Sequence, residues 1–544
     1  MKNSNRLLLV CFLTVTISML TAQQPASIRM DANNVDMTLN VYGSCESNTM
    51  ANSGLWLSGL GFSELSAHTA FVSDLDLGSD YSPGPVTSWG YTNDEIRAAF
   101  NRVWSVRRWE LDLFLSQFDE NGNYSPQPGY NIPIDILEWP AHGPTPPDET
   151  LGSFSENLAP FVDVDGDGRY DPYHGDYPEI KGDQCAFFVF NANSPTHFSY
   201  DGQLNSEIHG MAYVFDEPGD SILSNTVFFN YKIFFRSGYL LIDFLVGYWC
   251  DFAIDHDHHD YVGCNVGNDC FYAYSPTTDS PSQVITVLKG IPKDDGDERY
   301  GLTSFMYYTS EDLASEAGSP YYWIPGYYYL YQHNTWKGRD KLQYGGTGHK
   351  EDALALPLDC DYAFPGNSDP QHLGTNGVEP WGLYAEMGWT EENCENVPGD
   401  RYGIGSMGPV SFYVDDVLDF DMALTTFPNH DAVWNLDEPV SYLRHCFETG
   451  WTASGKPFAY YYDIDEAAVN QEVVIYPNPS LGMITIKMTD FQAVDVFDML
   501  GRKLISSQEA TIDLAGLPQG VYMAKIFNSK GLSTTRPVVL TTGR

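Results

Sequence analysis

Basic residues are scarce in this chain of 544 residues. It has 28 Lys and Arg against 73 Asp and Glu, so its formal net charge is −45. Nucleic-acid binding needs a Lys/Arg-rich face that neutralises phosphates, so this composition argues against a nucleic-acid partner and against an anionic membrane surface. Hydrophobic residues make up 43% of the chain, which is too much for a disordered protein. The composition predicts a folded acidic protein whose natural partners are cations.

Long apolar segments are also lacking beyond the N-terminus. Met1–Ala22 has the features of a secretory signal peptide, because Lys2 and Arg6 precede the apolar run Leu7–Leu20. That run is shorter than the roughly 20 residues that span a bilayer. We expect an exported protein whose mature chain begins at Gln23 and has no transmembrane segment.

The chain has no C-x-x-C pair, which disfavours a zinc site. Of nine cysteines, one lies in the signal peptide, and an even number in an exported chain predicts disulfides. The remaining eight are Cys45, Cys185, Cys250, Cys264, Cys270, Cys360, Cys394 and Cys446. We expect one local bridge among Cys250, Cys264 and Cys270 and a second between Cys360 and Cys394, with buried thiols as the alternative.

Nucleophile motifs are missing as well. The sequence has no G-x-S-x-G and no H-E-x-x-H, and the glycine-rich segment Tyr344–Lys350 does not have phosphate-loop spacing. Paired carboxylates for glycoside hydrolysis stay open, since spacing along the chain does not give distances in space.

Strand-like runs dominate residues 23–460, for example Thr226–Arg236 and Leu240–Tyr248. Helix signals are few, and the best is a capping box formed by Thr92 and Glu95. We predict a mostly β protein. Its body, in one or two lobes, is β-sandwich-like with few short helices, and residues 461–471 form a linker.

Residues 472–544 differ in composition, with seven basic residues, six acidic residues and no cysteine. Pro, Gly, Asn and Asp separate short alternating runs, which is typical of a small antiparallel sandwich. The runs are Val473–Tyr476, Met483–Lys487, Val494–Phe497, Thr511–Leu514 and Val521–Phe527. We predict a small C-terminal Ig-like β-sandwich.

Spaced motifs give this C-terminal segment a family resemblance. Its key residues are Tyr476, Pro477, Asn478, Pro479, Gly482, Gly501, Gly520 and Tyr522. In this order they resemble the type A C-terminal sorting domain of the type IX secretion system. The resemblance implies handling by the type IX machinery, export across the outer membrane, and release or attachment at the cell surface. A generic Ig-like module is the alternative.

The body also resembles an uncharacterised family of secreted proteins that carry the same sorting tail. The matching segments include Gly54–Gly59, Asp80–Pro85, Trp139–Gly143, Phe161–Asp183 and Val246–Trp249. This resemblance implies a shared architecture but gives no information about activity.

A calcium-type loop is the sharpest candidate site. Carboxylates occupy loop positions 1, 3, 5 and 9, glycine occupies position 6, and a backbone carbonyl would serve position 7. The predicted ligands are Asp163, Asp165, Asp167, Arg169, Asp171 and Asp176. His174 stands at position 12, where an EF-hand has Glu, so the loop is not an EF-hand, and either Asp176 or Glu179 could complete the shell. We expect structural calcium, with a flexible acidic turn as the alternative.

A second acidic cluster lies further along the chain. Its candidate metal ligands are Asp251, Asp255, Asp257 and Asp260. We interpret the cluster as a second calcium site or a solvated loop. His256, His258 and His259 offer a transition-metal alternative, although they lack the i, i+4 spacing of a helical site.

An aromatic run at residues 321–336 would either stack on sugar rings or pack inside a hairpin. Taken together, the sequence predicts a secreted, surface-displayed, calcium-stabilised β-protein that binds or builds something outside the cell. Its expected partner is an extracellular glycan or a surface protein, as for an adhesin. The alternatives are a secreted hydrolase acting on polysaccharide or protein, and metal capture by the histidine cluster.

Overall fold

A computed structural model describes most of the chain. The described residues are 24–61, 67–71, 79–119, 121–195, 203–236, 240–254, 259–293, 298–302, 304–309, 398–414, 416–460, 474–478, 480–488, 491–497, 503–528 and 533–541. The signal peptide, the expected Cys360–Cys394 bridge and the aromatic run at 321–336 lie outside these ranges.

The described part of the body is built from 21 strands. They are β1 (Ser27–Met30), β2 (Met37–Asn40), β3 (Cys45–Glu46), β4 (Met50–Gly61), β5 (Ala67–Phe71), β6 (Ser82–Pro83), β7 (Trp104–Arg107), β8 (Phe161–Val162), β9 (Tyr177–Pro178), β10 (Gln184–Asn191), β11 (Ser206–Val214), β12 (Thr226–Phe235), β13 (Leu241–Phe252), β14 (Tyr261–Asn265), β15 (Cys270–Tyr274), β16 (Ser282–Lys289), β17 (Ile291–Pro292), β18 (Arg299–Tyr300), β19 (Ser304–Thr309), β20 (Arg401–Phe412) and β21 (Val417–Phe427). The described α-helices are α1 (Asp94–Phe100), α2 (Arg108–Leu115), α3 (Ile134–Leu137) and α4 (Asp437–Thr449). Short 3-10 turns occupy Glu149–Leu151, Pro172–His174, Leu223–Asn225, Val266–Asn268 and His430–Trp434.

Two large antiparallel sheets form most of the described body, beside the small sheets β1-β2-β3, β8-β9 and β17-β18. The nine-stranded sheet has the order β14-β15-β16-β21-β12-β11-β10-β6, with β7 also paired to β10, and the five-stranded sheet has the order β19-β20-β13-β4-β5. Alternate residues of β12, such as Phe229 and Tyr231, share one core with Leu245 and Trp249 of β13. Because side chains alternate between the two faces of a strand, the inward-facing residues of both sheets form one core and the sheets pack face to face. The prediction of a mostly β, sandwich-like body is confirmed.

A second core covers part of the outer face of the nine-stranded sheet. Phe187 and Phe228 of that sheet pack there with Phe100 of α1, Phe114 of α2 and Leu443 of α4. The sheet is consequently buried on both faces over much of its area, and its strands read as nearly continuous apolar runs.

The segment Trp451–Tyr460, here called the C-terminal strap, closes this second core. Phe458 packs against the rings of Phe215 and Phe228, with centroid distances of 4.5 and 5.4 Å. The Tyr460 amide donates to the carbonyl of Ile180 at 2.8 Å. The strap thus connects the end of the body to its central sheet.

The described residues of the C-terminal domain form seven further strands. They are β22 (Val474–Tyr476), β23 (Met483–Lys487), β24 (Phe491–Phe497), β25 (Lys503–Ser507), β26 (Thr511–Asp513), β27 (Gly520–Asn528) and β28 (Ser533–Leu540). They form the sheets β22-β23-β26 and β25-β24-β27-β28. Ile484, Val496 and Ile526 belong to a separate hydrophobic core, so this part is a small two-sheet sandwich of the kind that the alternating runs predict.

Helix α1 begins one residue later than its capping box indicates. Its N-cap is Asn93, whose side-chain oxygen accepts from the Ile96 amide at 2.9 Å, whereas Thr92 lies before the cap. Asn is as good an N-cap as Thr, so Asn93 caps the helix in place of Thr92.

The expected bridge among Cys250, Cys264 and Cys270 is not formed. All six described cysteines are buried thiols. Cys264 and Cys270 lie on adjacent strands but on opposite faces of the sheet, Cys264 in the inter-sheet core and Cys270 in a small cluster with Val440 of α4. Strand alternation therefore separates two thiols that are close in sequence.

Candidate functional site

The calcium-type loop connects β8 to β9, a short hairpin at the edge of the second core. Asp163 organises its first half, because its two carboxylate oxygens accept from the amides of Gly166 and Gly168, each at 2.8 Å. Gly166 has φ +77°, a left-handed conformation that glycine tolerates best. These backbone hydrogen bonds hold the pKa of Asp163 below its ordinary value, so it is ionised.

Asp176 closes the loop from the opposite side and is fully buried. Its oxygens accept from the amides of Val164 at 2.8 Å and of Asp171 at 2.9 Å. Burial raises its pKa, and the negative charges of Asp163 and Asp165 raise it further. A buried carboxylate beside two others is a place where a cation would relieve both desolvation and repulsion.

The fold brings three of the predicted ligands together. One carboxylate oxygen from each of Asp163, Asp165 and Asp176 lies within 4.8 Å of the others. Hard carboxylate oxygens at this separation fit Ca²⁺, which takes six to eight oxygen ligands from carboxylates, carbonyls and water. The residues present therefore suit calcium.

The other predicted ligands of this loop have local roles. The Asp167 carboxylate accepts from the Arg169 amide at 2.7 Å. The Asp171 carboxylate accepts from the Tyr173 amide at 2.9 Å and lies 3.1 Å from the Nδ1 atom of His174. These contacts shape the turn around the three clustered carboxylates.

The second acidic cluster is described only at its ends. Asp251 lies on β13. Asp260 is fully buried, and its carboxylate accepts from the Ile254 amide at 3.2 Å. Asp255, Asp257, His256 and His258 lie outside the described residues, so the predicted second metal site and the metal-capture alternative stay predictions.

Sequence reasoning missed a buried charged network on the outer face of the nine-stranded sheet. The Glu207 carboxylate is fully buried. It contacts His209 Nε2 at 2.9 Å and the Arg236 guanidinium at 3.2 Å, and it accepts from the Val86 amide at 2.9 Å. Although burial opposes ionisation, these partners lower the pKa of Glu207. No motif marks the network, because cross-strand pairing and loop packing create it.

The motif of the C-terminal domain fastens the start of that domain to its last strand. The Asn478 side-chain oxygen accepts from the Val539 amide, and the Ser480 amide donates to the Val539 carbonyl, each at 2.8 Å. Gly482 has φ +141°, and a Cβ there would approach the Ala515 Cβ to 2.8 Å, so only glycine fits.

The later motif residues are also structural where they are described. The Tyr522 side chain is buried, and its hydroxyl donates to the Pro518 carbonyl at 2.7 Å. Gly520 begins β27. Tyr476 is half exposed, whereas Pro479 and Gly501 lie outside the described residues.

None of the described helices is both long and apolar enough to cross a membrane. No curated protein matches the chain. Among solved structures, a polysaccharide lyase is similar at 8% identity and a TM-score of 0.18, in a match that covers 72% of this chain and 38% of that one. A likeness at this score carries no argument about fold or activity.

One family matches the C-terminal domain. It is described as the secretion system C-terminal sorting domain, and the match covers residues 474–541. The spaced motif and its internal hydrogen bonds agree with this match. Residues 474–541 are a type IX secretion C-terminal sorting domain.

Proposed function

We propose that the protein is a calcium-stabilised binding or structural protein of the adhesin type, which the type IX secretion system exports to the cell surface or beyond. The sorting domain at residues 474–541 is the observation that carries the export part of this proposal. The predicted signal peptide, Met1–Ala22, would supply the preceding step across the inner membrane.

The clustered carboxylates of Asp163, Asp165 and Asp176 support calcium as a structural ion. Asp176 lies in the buried base of the loop and Asp163 orders its tip through two backbone amides. An ion that bridges them would join the tip to the base. Because α2 and the strap belong to the core beneath β8, calcium would stabilise this side of the body.

Among the described residues, the carboxyls whose pKa values are raised have internal partners, which supports binding or scaffolding over hydrolysis. Burial raises the pKa values of Asp176, Asp269 and Asp421. Asp269 contacts Arg444 at 3.1 Å and the Leu302 amide at 3.0 Å, and Asp421 accepts from Asn230 at 3.0 Å. A general acid must present its proton to the substrate, whereas these carboxyls are engaged in internal contacts.

The test uses the full mature chain, purified with and without calcium. It is offered to a panel of polysaccharides and surface-protein extracts in a binding assay, and to chromogenic glycosidase and protease substrates in a turnover assay. Saturable binding without turnover is expected. Turnover that survives repurification would overturn the proposal in favour of the hydrolase alternative.

A further inference from the structure

The outer face of the nine-stranded sheet carries two polar rows at its middle. Direct cross-strand pairing aligns His209 of β11, Lys232 of β12 and Asp419 of β21 in one row. The next row contains Asn230 of β12, Asp421 of β21 and Lys289 of β16. Even-numbered residues of β12 point to this face because the odd-numbered ones fill the inter-sheet core.

This face is open to solvent where the rows cross β12. Lys232 is exposed, and Asn230 and Phe234 are half-buried. The side chain of Asp419 is 27% exposed, and that of Lys289 is 34% exposed. The second core therefore leaves a strip of the sheet uncovered, here called the polar strip and made of the two rows together with Phe234.

Cations outnumber carboxylates around the polar strip, although the protein as a whole is strongly acidic. The carboxylates are Glu207, Asp419 and Asp421. The cations are Lys232, Lys289 and Arg299, with Arg236 beside Phe234 and Lys181 near Asp421. Charge complementarity thus favours an anionic ligand here, and salt confines the repulsion from acidic residues elsewhere to about 8–10 Å.

The cations differ in their internal partners. Lys289 and Arg299 both pair with Asp419, and Arg236 pairs with Glu207 at 3.2 Å. Lys232 has no ion pair or hydrogen bond among the residues that the structure describes. Lys181 makes a cation–π contact with Tyr213, 5.3 Å from the ring centroid, which leaves Lys232 as the exposed ammonium of the five without a partner among the described residues. A single such ammonium fits a ligand of low charge density, with one carboxylate per sugar ring, better than a densely sulfated chain.

Phe234 supplies an aromatic surface next to this ammonium. Its ring centroid lies 4.6 Å from that of the His209 ring, and the Arg236 guanidinium lies over the Phe234 ring, 5.0 Å from the centroid. These contacts fix the orientation of the phenyl ring. Lys232 and Phe234 are two residues apart on the same face, about 7 Å along the strand, so one ligand can contact both.

We propose that the polar strip binds a uronic-acid-containing polysaccharide, with Lys232 contacting a carboxylate and the exposed part of the Phe234 ring contacting the neighbouring sugar. This inference rests on the proposed binding function and names its ligand class. Arg236 and His209 are positioning residues for Phe234.

The experiment measures binding of polygalacturonate fragments to the full mature chain by isothermal titration calorimetry at low and physiological salt. Neutral dextran and dextran sulfate are the comparison ligands. The variants are Lys232→Gln and Lys232→Arg, and Lys487→Gln is the matched control because Lys487 is also an exposed strand lysine but lies in the sorting domain.

We expect polygalacturonate to bind, and Lys232→Gln to weaken binding about tenfold at low salt, as for loss of one charge-assisted contact. Lys232→Arg and Lys487→Gln should bind like the wild type. No binding of polygalacturonate, equal binding by Lys232→Gln, or binding of dextran sulfate alone would each overturn the inference. If a neutral glycan binds instead, the proposed binding function stands and only the uronate assignment fails. Turnover of a substrate would contradict the proposed function itself.

Discussion

Removing calcium should lower the thermal stability of the body, and Asp163→Asn should abolish this dependence. An ion present at a hundredfold excess over its Kd stabilises the folded state by about 2.7 kcal/mol. Unfolding entropy of about 2.1 cal/mol/K per residue gives about 0.9 kcal/mol/K for a body of this length. The expected decrease in Tm on adding a chelator is therefore about 3 °C when the body unfolds as one unit.

The matched control for this prediction is Asp119→Asn. Asp119 also accepts from two backbone amides of an exposed turn, those of Asn121 at 2.8 Å and Asn123 at 2.9 Å, but it is not one of the clustered carboxylates. Calorimetry with and without chelator should show a calcium-dependent Tm for the wild type and Asp119→Asn, and none for Asp163→Asn. A wild-type Tm indifferent to chelator, or an equal loss of calcium dependence in the control, would refute the reasoning.

The pH dependence of the calcium effect follows from Asp176. The pKa of Asp176 is raised in the folded protein, so without calcium the folded state binds the Asp176 proton more tightly than the unfolded state does. The stability of the calcium-free protein therefore falls as pH increases from the ordinary aspartate pKa through the raised one. Calcium binds the ionised carboxylate. The gain in Tm from calcium should therefore be small below the ordinary aspartate pKa and reach its full value above the raised one. A gain that is constant with pH would argue against Asp176 as a ligand.

Three further predictions concern the rest of the chain. Phe458→Ala should destabilise the body by about 3–5 kcal/mol in urea unfolding, since it empties a buried aromatic site; an unchanged midpoint would mean that the strap does not belong to the folded core. Cys45 and Cys185, whose pKa values burial raises to about 12, should resist iodoacetamide at pH 8 until the protein is unfolded, and rapid labelling of the native protein would contradict their burial. A reporter fused to residues 472–544 should reach the medium or cell surface of a host with type IX secretion. The variant Gly482→Val should block this export because it unfolds the domain. Retention of the unmutated fusion in the periplasm would count against the sorting assignment.

Local signals in the sequence predicted the strands well because alternation depends on neighbouring residues alone. The run Thr226–Arg236 is strand β12 almost to its ends, and the runs after Gln471 correspond to strands of the sorting domain. The predicted bridge among three nearby cysteines is not formed, and strand alternation also explains this. Proximity along the chain does not specify a face, and alternation places Cys264 and Cys270 on opposite ones.

The sequence could predict only those ligands of the candidate site that lie close together along the loop. Loop spacing indicated Asp163 and Asp165, whereas the choice between Asp176 and Glu179 required the β8–β9 hairpin, which returns Asp176 to the start of the loop. No local spacing could indicate the polar strip, since the alignment of His209, Lys232 and Asp419 depends on the register of strands that are distant in sequence.

The position of the polar strip in the sheet bears on whether a ligand is needed to explain its exposed residues. β12 is an interior strand of an antiparallel sheet, a type that commonly packs one face on a core and leaves the other face polar and solvated. Its inner face follows that rule, with Phe229, Tyr231 and Ile233 fully buried. The exposed Lys232 and the half-buried Phe234 on the opposite face lie where the second core does not cover the sheet. Alternation on an antiparallel strand accounts for polar residues on this face without a ligand, so the response of binding to Lys232→Gln decides whether the polar strip also contacts one.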